Sequence, residues 1–255
     1  MASAARGQDI PFPAFACGPV AFRDVTAAEI VAEVARPAGP APRLFTALNA
    51  HALSLALQQP RFRDLLNRSH LCFCDGFGIL LFCRLWGFGA PRHRNTPTDF
   101  LPALLERLAA EKKTVFLLGD TEAVAAAYAR QLEARHPGLV CGWHSGFFPR
   151  GGEEEAALLA RIAAARPHAL LLGMGMPRQE YWAEDHQAAL SCASVVMIGA
   201  SMAFHTGSRR RGPRWATGRG LEGVFRLLLE PRVVWHRYLV ELPRLAWALR
   251  RYRKK

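Results

Sequence analysis

Glycines and polar side chains follow several apolar segments of this sequence, in an arrangement that could build a ligand site. Thr46 and Asn49 end the first of these segments, and Asp75 follows a second one within the run Asp-Gly-Phe-Gly. Gly119 and the stretch 173–180, Gly-Met-Gly-Met-Pro-Arg-Gln-Glu, end two later segments. Glycine lets a backbone approach a ligand closely, and a carboxylate beside it can act as an acid or a base. These residue types predict a site for a ligand with phosphate or hydroxyl groups.

Familiar cofactor-binding and metal-binding patterns are absent from the sequence. Its GxGxxG run, at residues 218–223, follows no predicted strand, and no GxxxxGK[ST] occurs, so the sequence has neither a dinucleotide fingerprint nor a P-loop. The six cysteines form no CxxC pair, and the nine histidines show no HxxxH or HxH spacing. We therefore expect no cofactor and no metal site, and we expect the cysteines to be buried free thiols.

The segments that must position the polar residues alternate between two kinds. Short apolar segments predict strands at residues 43–48, 70–74, 114–119, 139–143, 169–173 and 194–199. Amphipathic stretches predict helices at residues 24–34, 50–58, 76–86, 99–112, 122–136, 152–166 and 179–190. This alternation predicts an α/β fold with a Rossmann-like, mostly parallel sheet and helices on both faces. In such sheets ligands bind at the carboxyl ends of the strands, where the polar residues of this chain stand.

Positive charge is concentrated at the C-terminal end of the chain. Residues 208–255 hold fourteen Arg and Lys against three Glu, whereas residues 1–207 are close to neutral. Helical spacing predicts one helix at 221–230 and a second one after Arg232. The second helix would carry one apolar stripe, formed by Val234, Tyr238, Leu242, Leu245 and Leu249. We expect an α/β domain over 1–207 and a basic helical appendage over 208–255. The appendage would bind an anionic membrane surface with its stripe in the headgroup region.

Two further features concern the location of the protein. The N-terminal residues lack the apolar core of a signal peptide, and no stretch reaches the roughly 18 apolar residues of a spanning helix. With the basic appendage, these features predict a cytoplasmic protein that lies on the inner face of the cell membrane.

A series of motifs in fixed order resembles a known family of bacterial enzymes. Its residues are Thr46-x-x-Asn49, Asp75-Gly-Phe-Gly78, Arg94 with Thr98-Asp99-Phe-Leu-Pro, Val115-Phe-Leu-Leu-Gly119, 173–180, Gly207, Arg211-Gly-Pro-Arg-Trp215, Glu230-Pro-Arg232 and Tyr238. From about Phe15 to Tyr238 the chain resembles the TagA/WecG/CpsF family, glycosyltransferase family 26.

The resemblance implies a reaction and its substrates. The enzyme would be an inverting, metal-independent transferase that uses a UDP-sugar of the N-acetylmannosamine, N-acetylmannosaminuronate or glucose type. The acceptor would be an undecaprenyl-diphosphate-linked glycan of cell-envelope or exopolysaccharide synthesis.

The resemblance also implies roles for single residues. Asp75 would be the base that takes the proton from the attacking hydroxyl, and Thr46 and Asn49 would orient the substrate. The implied substrate-binding residues are Arg94, Asp99, Gly119, Gly173, Gly175, Gln179, Glu180, Arg214, Arg219 and Arg226. Among them the arginines would stabilise the charge of the leaving diphosphate, and those of the appendage would close over the Asp75 pocket.

Ordinary structural roles compete with these assignments. Asp75 and Asn49 each stand where a side chain could cap the following helix, and Gln179 and Glu180 stand at the start of another. Any single arginine of the appendage could instead face solvent or lipid.

Two other functions stay open at this stage. The basic tail with its interleaved Trp and Tyr residues is compatible with a nucleic-acid-binding protein, although its apolar stripe favours a membrane, so no nucleic acid is expected as a partner. A catalytically inactive relative is the other alternative. Asn95, Pro97, Met202 and Ala203 depart from the family pattern, which leaves the nucleotide base open. The sugar, its linkage, the polysaccharide and a homo-oligomeric state are open as well.

Overall fold

The protein contains one large, mostly parallel sheet. The computed structural model describes residues 10–210, 235 and 240–253. Within them the strand order is β1-β2-β4-β3-β8-β7-β5-β6. The strands are β1 (Ala14–Cys17), β2 (Val20–Arg23), β3 (Arg43–Leu48), β4 (Leu71–Cys74), β5 (Val115–Gly119), β6 (Val140–His144), β7 (Ala169–Gly173) and β8 (Ser194–Met197). Neighbouring strands are parallel apart from the antiparallel pair β1–β2. The predicted α/β fold is confirmed.

Helices cover both faces of this sheet. They are α1 (Ala27–Ala35), α2 (Ala50–Gln58), α3 (Pro60–Arg68), α4 (Phe77–Leu85), α5 (Pro97–Ala110), α6 (Glu122–Arg135), α7 (Glu153–Ala165), α8 (Arg178–His186), α9 (Ser201–His205) and α10 (Leu242–Leu249). Buried side chains of α1, α5, α6 and α9 share one hydrophobic cluster on the first face. On the second face, α2, α3, α4 and α10 share a second cluster, and α7 and α8 share a third. From β3 to β6 the helices that follow successive neighbouring strands alternate between the two faces, whereas α4 and α2, which follow β4 and β3, share the second face.

Sequence periodicity located most of these elements within a few residues. Short or polar elements were missed, namely β1, β2, α3 and α9. Helix α1 begins later than the predicted residue 24. Thr26 is its N-cap and forms a capping box with Glu29, so the helix starts after Thr26. Cys17, Cys72, Cys74 and Cys83 are buried free thiols, as expected, whereas Cys141 and Cys192 are only partly buried.

The C-terminal helix α10 packs on the body of the protein. Leu245 and Leu249 are buried in the same cluster as Leu48 and Phe82, which belong to β3 and α4. The expectation that these two leucines lie in lipid headgroups is therefore wrong, because they complete the core beneath α2 and β1. Val234 and Tyr238 of the predicted stripe lie outside the described residues. A division between 1–207 and 208–255 stays a prediction.

None of the helices in the described ranges has both the length and the apolar character needed to cross a bilayer.

Candidate active site

A cleft opens along the carboxyl edge of the sheet, at the ends of β5, β6, β7 and β8. Its volume is about 190 Å³. Its lining residues are Asp120, Gly146, Phe147, Gly173, Met174, Gly175, Arg178, Gly199 and Ala200. The helix after β5 lies on one face of the sheet and the helix after β7 on the other, so the two helices diverge at this point. Open α/β sheets bind ligands where such neighbouring connections diverge.

Closely packed glycines form the floor of the cleft. A Cβ atom at Gly119 would lie 2.4 Å from the carbonyl carbon of Gly173, a distance that no real Cβ contact allows. A Cβ atom at Gly146 would lie 2.9 Å from the Cα of Gly119. Any larger residue at these positions would push the strand ends apart. Gly119 and Gly173 therefore stand at the carboxyl ends of two adjacent strands, and their role in substrate binding stays a prediction.

Phe147 and Arg178 stand at the mouth of the cleft. The Phe147 ring is 66% exposed, and the Arg178 guanidinium carbon lies 5.6 Å from the centre of that ring. Arg150 fixes this end of α8 through a hydrogen bond that its Nη2 donates to the carbonyl oxygen of Arg178, over 3.0 Å. An open aromatic ring beside a cation suits a ligand that combines a planar base with phosphate.

Several of these lining residues were not singled out in the sequence. Arg178 and Asp120 each adjoin a glycine motif that was recognised, so their positions could have been inferred from it. Phe147 offered a weaker signal, a large apolar residue in a short glycine-containing loop after β6.

Asp75 and Asn49 lie at the ends of β4 and β3, further along the same edge. The Nδ2 atom of Asn49 donates a hydrogen bond to Oδ2 of Asp75 over 3.3 Å. The Oδ1 atom of Asn49 accepts a hydrogen bond from the backbone amide of Ala52 over 3.0 Å, so Asn49 also caps α2. The capping role considered for Asn49 is therefore confirmed, and its role in orienting the substrate stays a prediction. Helix α4 has Gly76 as its N-cap and no side-chain cap hydrogen bond, so the capping role considered for Asp75 is wrong.

The loop that carries Arg94 is held beside Asp75. The backbone amide of Asn95 donates to the carbonyl oxygen of Cys74 over 2.9 Å. The buried carboxylate of Asp24 accepts hydrogen bonds from the backbone amides of Arg92 and His93, over 3.1 and 2.8 Å. These contacts place the half-exposed Arg94 at the end of β4. The Asn95 side chain, a departure from the family pattern, is buried and donates to the carbonyl oxygen of Val25 over 2.6 Å.

Thr46 does not reach the carboxyl edge. It lies in the middle of β3, its side chain is fully buried, and its Oγ1 donates to Oγ of Ser69 over 3.0 Å. Because side chains alternate along a strand, Thr46 points into the core beneath α3 rather than towards Asn49. The prediction that Thr46 orients substrate directly is not supported by this position.

Gln179 and Glu180 also point into the protein. They are 1% and 0% exposed, and Nε2 of Gln179 donates to Oε1 of Glu180 over 2.7 Å. Helix α8 has Pro177 as its N-cap and no side-chain cap hydrogen bond, so the capping role considered for both residues is wrong. Burial raises the pKa of Glu180 to about 7. The backbone amide of Gln179 donates to the carbonyl oxygen of Gly175, which ties the buried pair to the cleft loop.

The remaining predicted residues fall into three groups. Gly175 lines the cleft directly. Asp99 is exposed in the first turn of α5 and accepts a hydrogen bond from Oγ1 of Thr96 over 2.6 Å, so it helps to shape that turn. The implied substrate ligands of the appendage, Arg214, Arg219 and Arg226, lie outside the described residues. Within the described ranges, no three His, Cys, Asp or Glu side chains are grouped as metal ligands.

The structure is therefore that of an α/β protein whose sheet carries, along its carboxyl edge, a cleft and the hydrogen-bonded pair of Asp75 and Asn49. The model of the glycosyl transferase WecG/TagA/CpsF family matches residues 16–255, and the chain belongs to that family. It is also similar to the N-acetylglucosaminyldiphosphoundecaprenol N-acetyl-beta-D-mannosaminyltransferase of Bacillus spizizenii. The two chains are 26% identical over 201 residues, which cover 78% of this chain and 75% of the relative.

Proposed function

We propose that this protein transfers an N-acetylmannosamine-type sugar from UDP to an undecaprenyl-diphosphate-linked sugar. The observation that carries the proposal is the common edge shared by the cleft and Asp75. Three strand spacings separate β4 from β7, which corresponds to about 14 Å. A nucleotide bound at Phe147 and Arg178 can extend its diphosphate and sugar along this distance towards Asp75.

The proposed donor site is built for a nucleotide. The Phe147 ring would stack on the base, Arg178 would contact the diphosphate, and the glycine floor would let the backbone approach it. Arg94 would reach the same diphosphate from the Asp75 side, and we expect the appendage arginines 214, 219 and 226 to add to this positive charge. Cationic side chains in this arrangement would stabilise the UDP leaving group as its bond to the sugar breaks.

The proposed chemical step is a single displacement. The acceptor hydroxyl oxygen attacks the anomeric carbon, its proton passes to the Asp75 carboxylate, and the bond to UDP breaks with both electrons leaving on the diphosphate. Attack from the face opposite to UDP inverts the anomeric configuration. Asn49 would hold the carboxylate in position for this proton transfer through its Nδ2 hydrogen bond.

The choice of sugar and acceptor rests on the relative from Bacillus spizizenii, whose name specifies both. We extend these substrates to this protein, and we place its work on the cytoplasmic face of the membrane, in the synthesis of a cell-envelope polysaccharide or exopolysaccharide. N-acetylmannosaminuronate and glucose donors are the nearest alternatives within the proposed class.

The test is a transfer assay with purified full-length protein. We would combine a panel of UDP- and GDP-sugars with a short-chain polyprenyl-diphosphate N-acetylglucosamine acceptor. We expect a disaccharide product with UDP-N-acetylmannosamine, an anomeric configuration opposite to that of the donor, and an unchanged rate in EDTA. No transfer from any donor, with intact nucleotide binding, would contradict the proposed function. Loss of activity in EDTA with recovery on adding Mg²⁺ would contradict the cationic account of the leaving group.

A further inference from the structure

Helix α4 presents a row of exposed apolar side chains directly after Asp75. Phe77, Leu81 and Leu85 are 43%, 42% and 60% exposed. They recur every four residues, so they lie on one side of the helix and span about 12 Å. The opposite side of α4 is buried in the core through Ile79 and Phe82. The helix is therefore anchored in the protein while an apolar ridge of three side chains faces outward.

The shape of this ridge limits what it can bind. The three side chains project from the convex outer side of a helix. A single extended lipid chain would bury only one side of itself there, whereas a bilayer surface can surround the whole ridge. Contiguous exposed apolar residues next to a functional site are typical of an interaction surface.

The charged residues of α4 and of the loop after it are all basic. Residues 76–98 contain Arg84, Arg92 and Arg94 but no Asp or Glu. Residues 242–253, which form α10 and the turn after it, likewise contain no Asp or Glu. Their charged residues are Arg244, Arg250, Arg251 and Arg253, all of them exposed. An apolar ridge between arginines is complementary to anionic headgroups above a hydrocarbon layer.

Helices α4 and α10 cover the same part of the core. Both pack on the same hydrophobic cluster, on the same face of the sheet. The β1–β2 turn links them, because Cys17 lies against Cys83 of α4 and the adjoining Gly18 lies against Leu249 of α10. Trp247 of α10 is 74% exposed, and Trp side chains are enriched at membrane interfaces.

We propose that the outer side of α4 inserts into the headgroup region of an anionic bilayer, with α10 lying beside it. The sequence placed membrane contact on the apolar stripe of the appendage, but Leu245 and Leu249 of that stripe are buried in the core. The α4 ridge supplies an apolar contact that those leucines cannot. If the proposed function holds, the insertion brings Asp75, two residues before Phe77, to the surface where the diphosphate of a lipid-linked acceptor lies.

The test removes the apolar ridge without changing the charge. Full-length protein with Leu81→Gln and Leu85→Gln would be compared with the wild type for binding to vesicles of phosphatidylcholine and phosphatidylglycerol. The matched control carries Ala103→Gln and Ala123→Gln, at exposed positions of α5 and α6 on the opposite face of the sheet. Thermal unfolding and UDP binding would verify that each variant is folded.

We expect the Leu81/Leu85 variant to bind these vesicles about tenfold more weakly or worse, while the control binds like the wild type. Transfer to a water-soluble acceptor should stay within about twofold of the wild-type rate. Unchanged vesicle binding would overturn the proposal. The proposal would also be overturned if the wild type forms a dimer, the Leu81/Leu85 substitutions dissociate it, and vesicle binding is unchanged. The ridge would then be an interface with a second copy of the chain. If the wild type fails to transfer sugar but the substitutions still weaken vesicle binding, the proposed function is contradicted and the proposed membrane-binding role of α4 is supported.

Discussion

The Nδ2 atom of Asn49 donates a hydrogen bond to Oδ2 of Asp75 over 3.3 Å, which joins the ends of two neighbouring parallel strands. Asn49 is itself fixed, because its Oδ1 caps helix α2 through the amide of Ala52. The carboxylate is therefore held by a side chain that cannot rotate without uncapping a helix. In the proposed mechanism this pairing holds the Asp75 carboxylate in position to take the proton of the acceptor hydroxyl.

The first prediction separates the two roles of Asn49. Serine caps helices about as well as asparagine but has no amide to donate to Asp75. We expect Asn49→Ser to change the free energy of unfolding by less than about 0.5 kcal/mol. Turnover should fall about tenfold or more, because the carboxylate loses its orientation. A fall in stability with unchanged turnover would show that capping is the whole role of Asn49.

The second prediction concerns Asp24, which holds the Arg94 loop through the backbone amides of Arg92 and His93. Asp24→Ala removes all of these acceptors, whereas Asp24→Asn keeps one side-chain oxygen. We expect the alanine variant to lower kcat/KM for the donor, and the asparagine variant to recover part of the loss. Titration with UDP would show whether the lower kcat/KM comes from weaker binding of the donor. Equal affinity for UDP in the wild type and Asp24→Ala would contradict a positioning role.

The third prediction uses the buried acid Glu180, whose pKa is raised by burial from 4.5 to about 7. The folded protein holds this proton more tightly than the unfolded chain, so the carboxylate destabilises the fold as pH rises through this range. Glu180→Gln carries no charge at any pH. Relative to the wild type, the variant should therefore gain stability between about pH 4.5 and pH 7, approaching about 3 kcal/mol above pH 7.

The measurement is chemical unfolding of both proteins from pH 4.5 to pH 8. Glu106→Gln, at an exposed position of α5, is the matched control and should show a small difference that is constant with pH. A Glu180→Gln difference that stays constant over the same range would contradict the buried, proton-binding state of Glu180.

The fourth prediction tests how α10 packs. Leu249 is fully buried and Trp247 is largely exposed on the same helix. We expect Leu249→Ala to lower the free energy of unfolding by about 2–5 kcal/mol, as is typical of a large-to-small change in a core. Trp247→Ala should change it by less than about 1 kcal/mol. Similar values for the two variants would contradict the docking of α10 on the second face of the sheet.

The sequence predicted the fold well because its strands are apolar and its helices amphipathic. Strand β7, with the sequence ALLLG, is buried throughout, and its run of apolar residues alone predicts a strand. Helix α3 was missed because its sequence is mostly polar, and only Phe62, Leu65 and Leu66 reveal its buried side. Both strands of the β1–β2 hairpin contain only four residues, too few for a clear alternation.

The candidate site was predictable only in part. Asp75, Asn49 and the glycines follow strands, so the general rule for parallel sheets located them. The direction in which a side chain points depends on its neighbours, and here the sequence was insufficient. Thr46, Gln179 and Glu180 belong to motifs of the site but face the core. Phe147 belongs to no recognised motif, yet it stands at the mouth of the cleft. The burial of Leu245 and Leu249 also depends on tertiary packing, since an apolar helix stripe fits a core and a membrane equally well.

The most direct test of the account is a comparison of the wild type with Asp75→Asn, in which donor binding and sugar transfer are measured on the same preparations. The substitution keeps the shape of the side chain, and Gly76 rather than Asp75 is the N-cap of α4, so the fold and the affinity for UDP should be unchanged. The transfer rate to the lipid-diphosphate acceptor should fall about 10²–10⁴-fold, as expected for loss of a general base. A variant that binds UDP normally and keeps more than about a third of the wild-type rate would contradict Asp75 as the base.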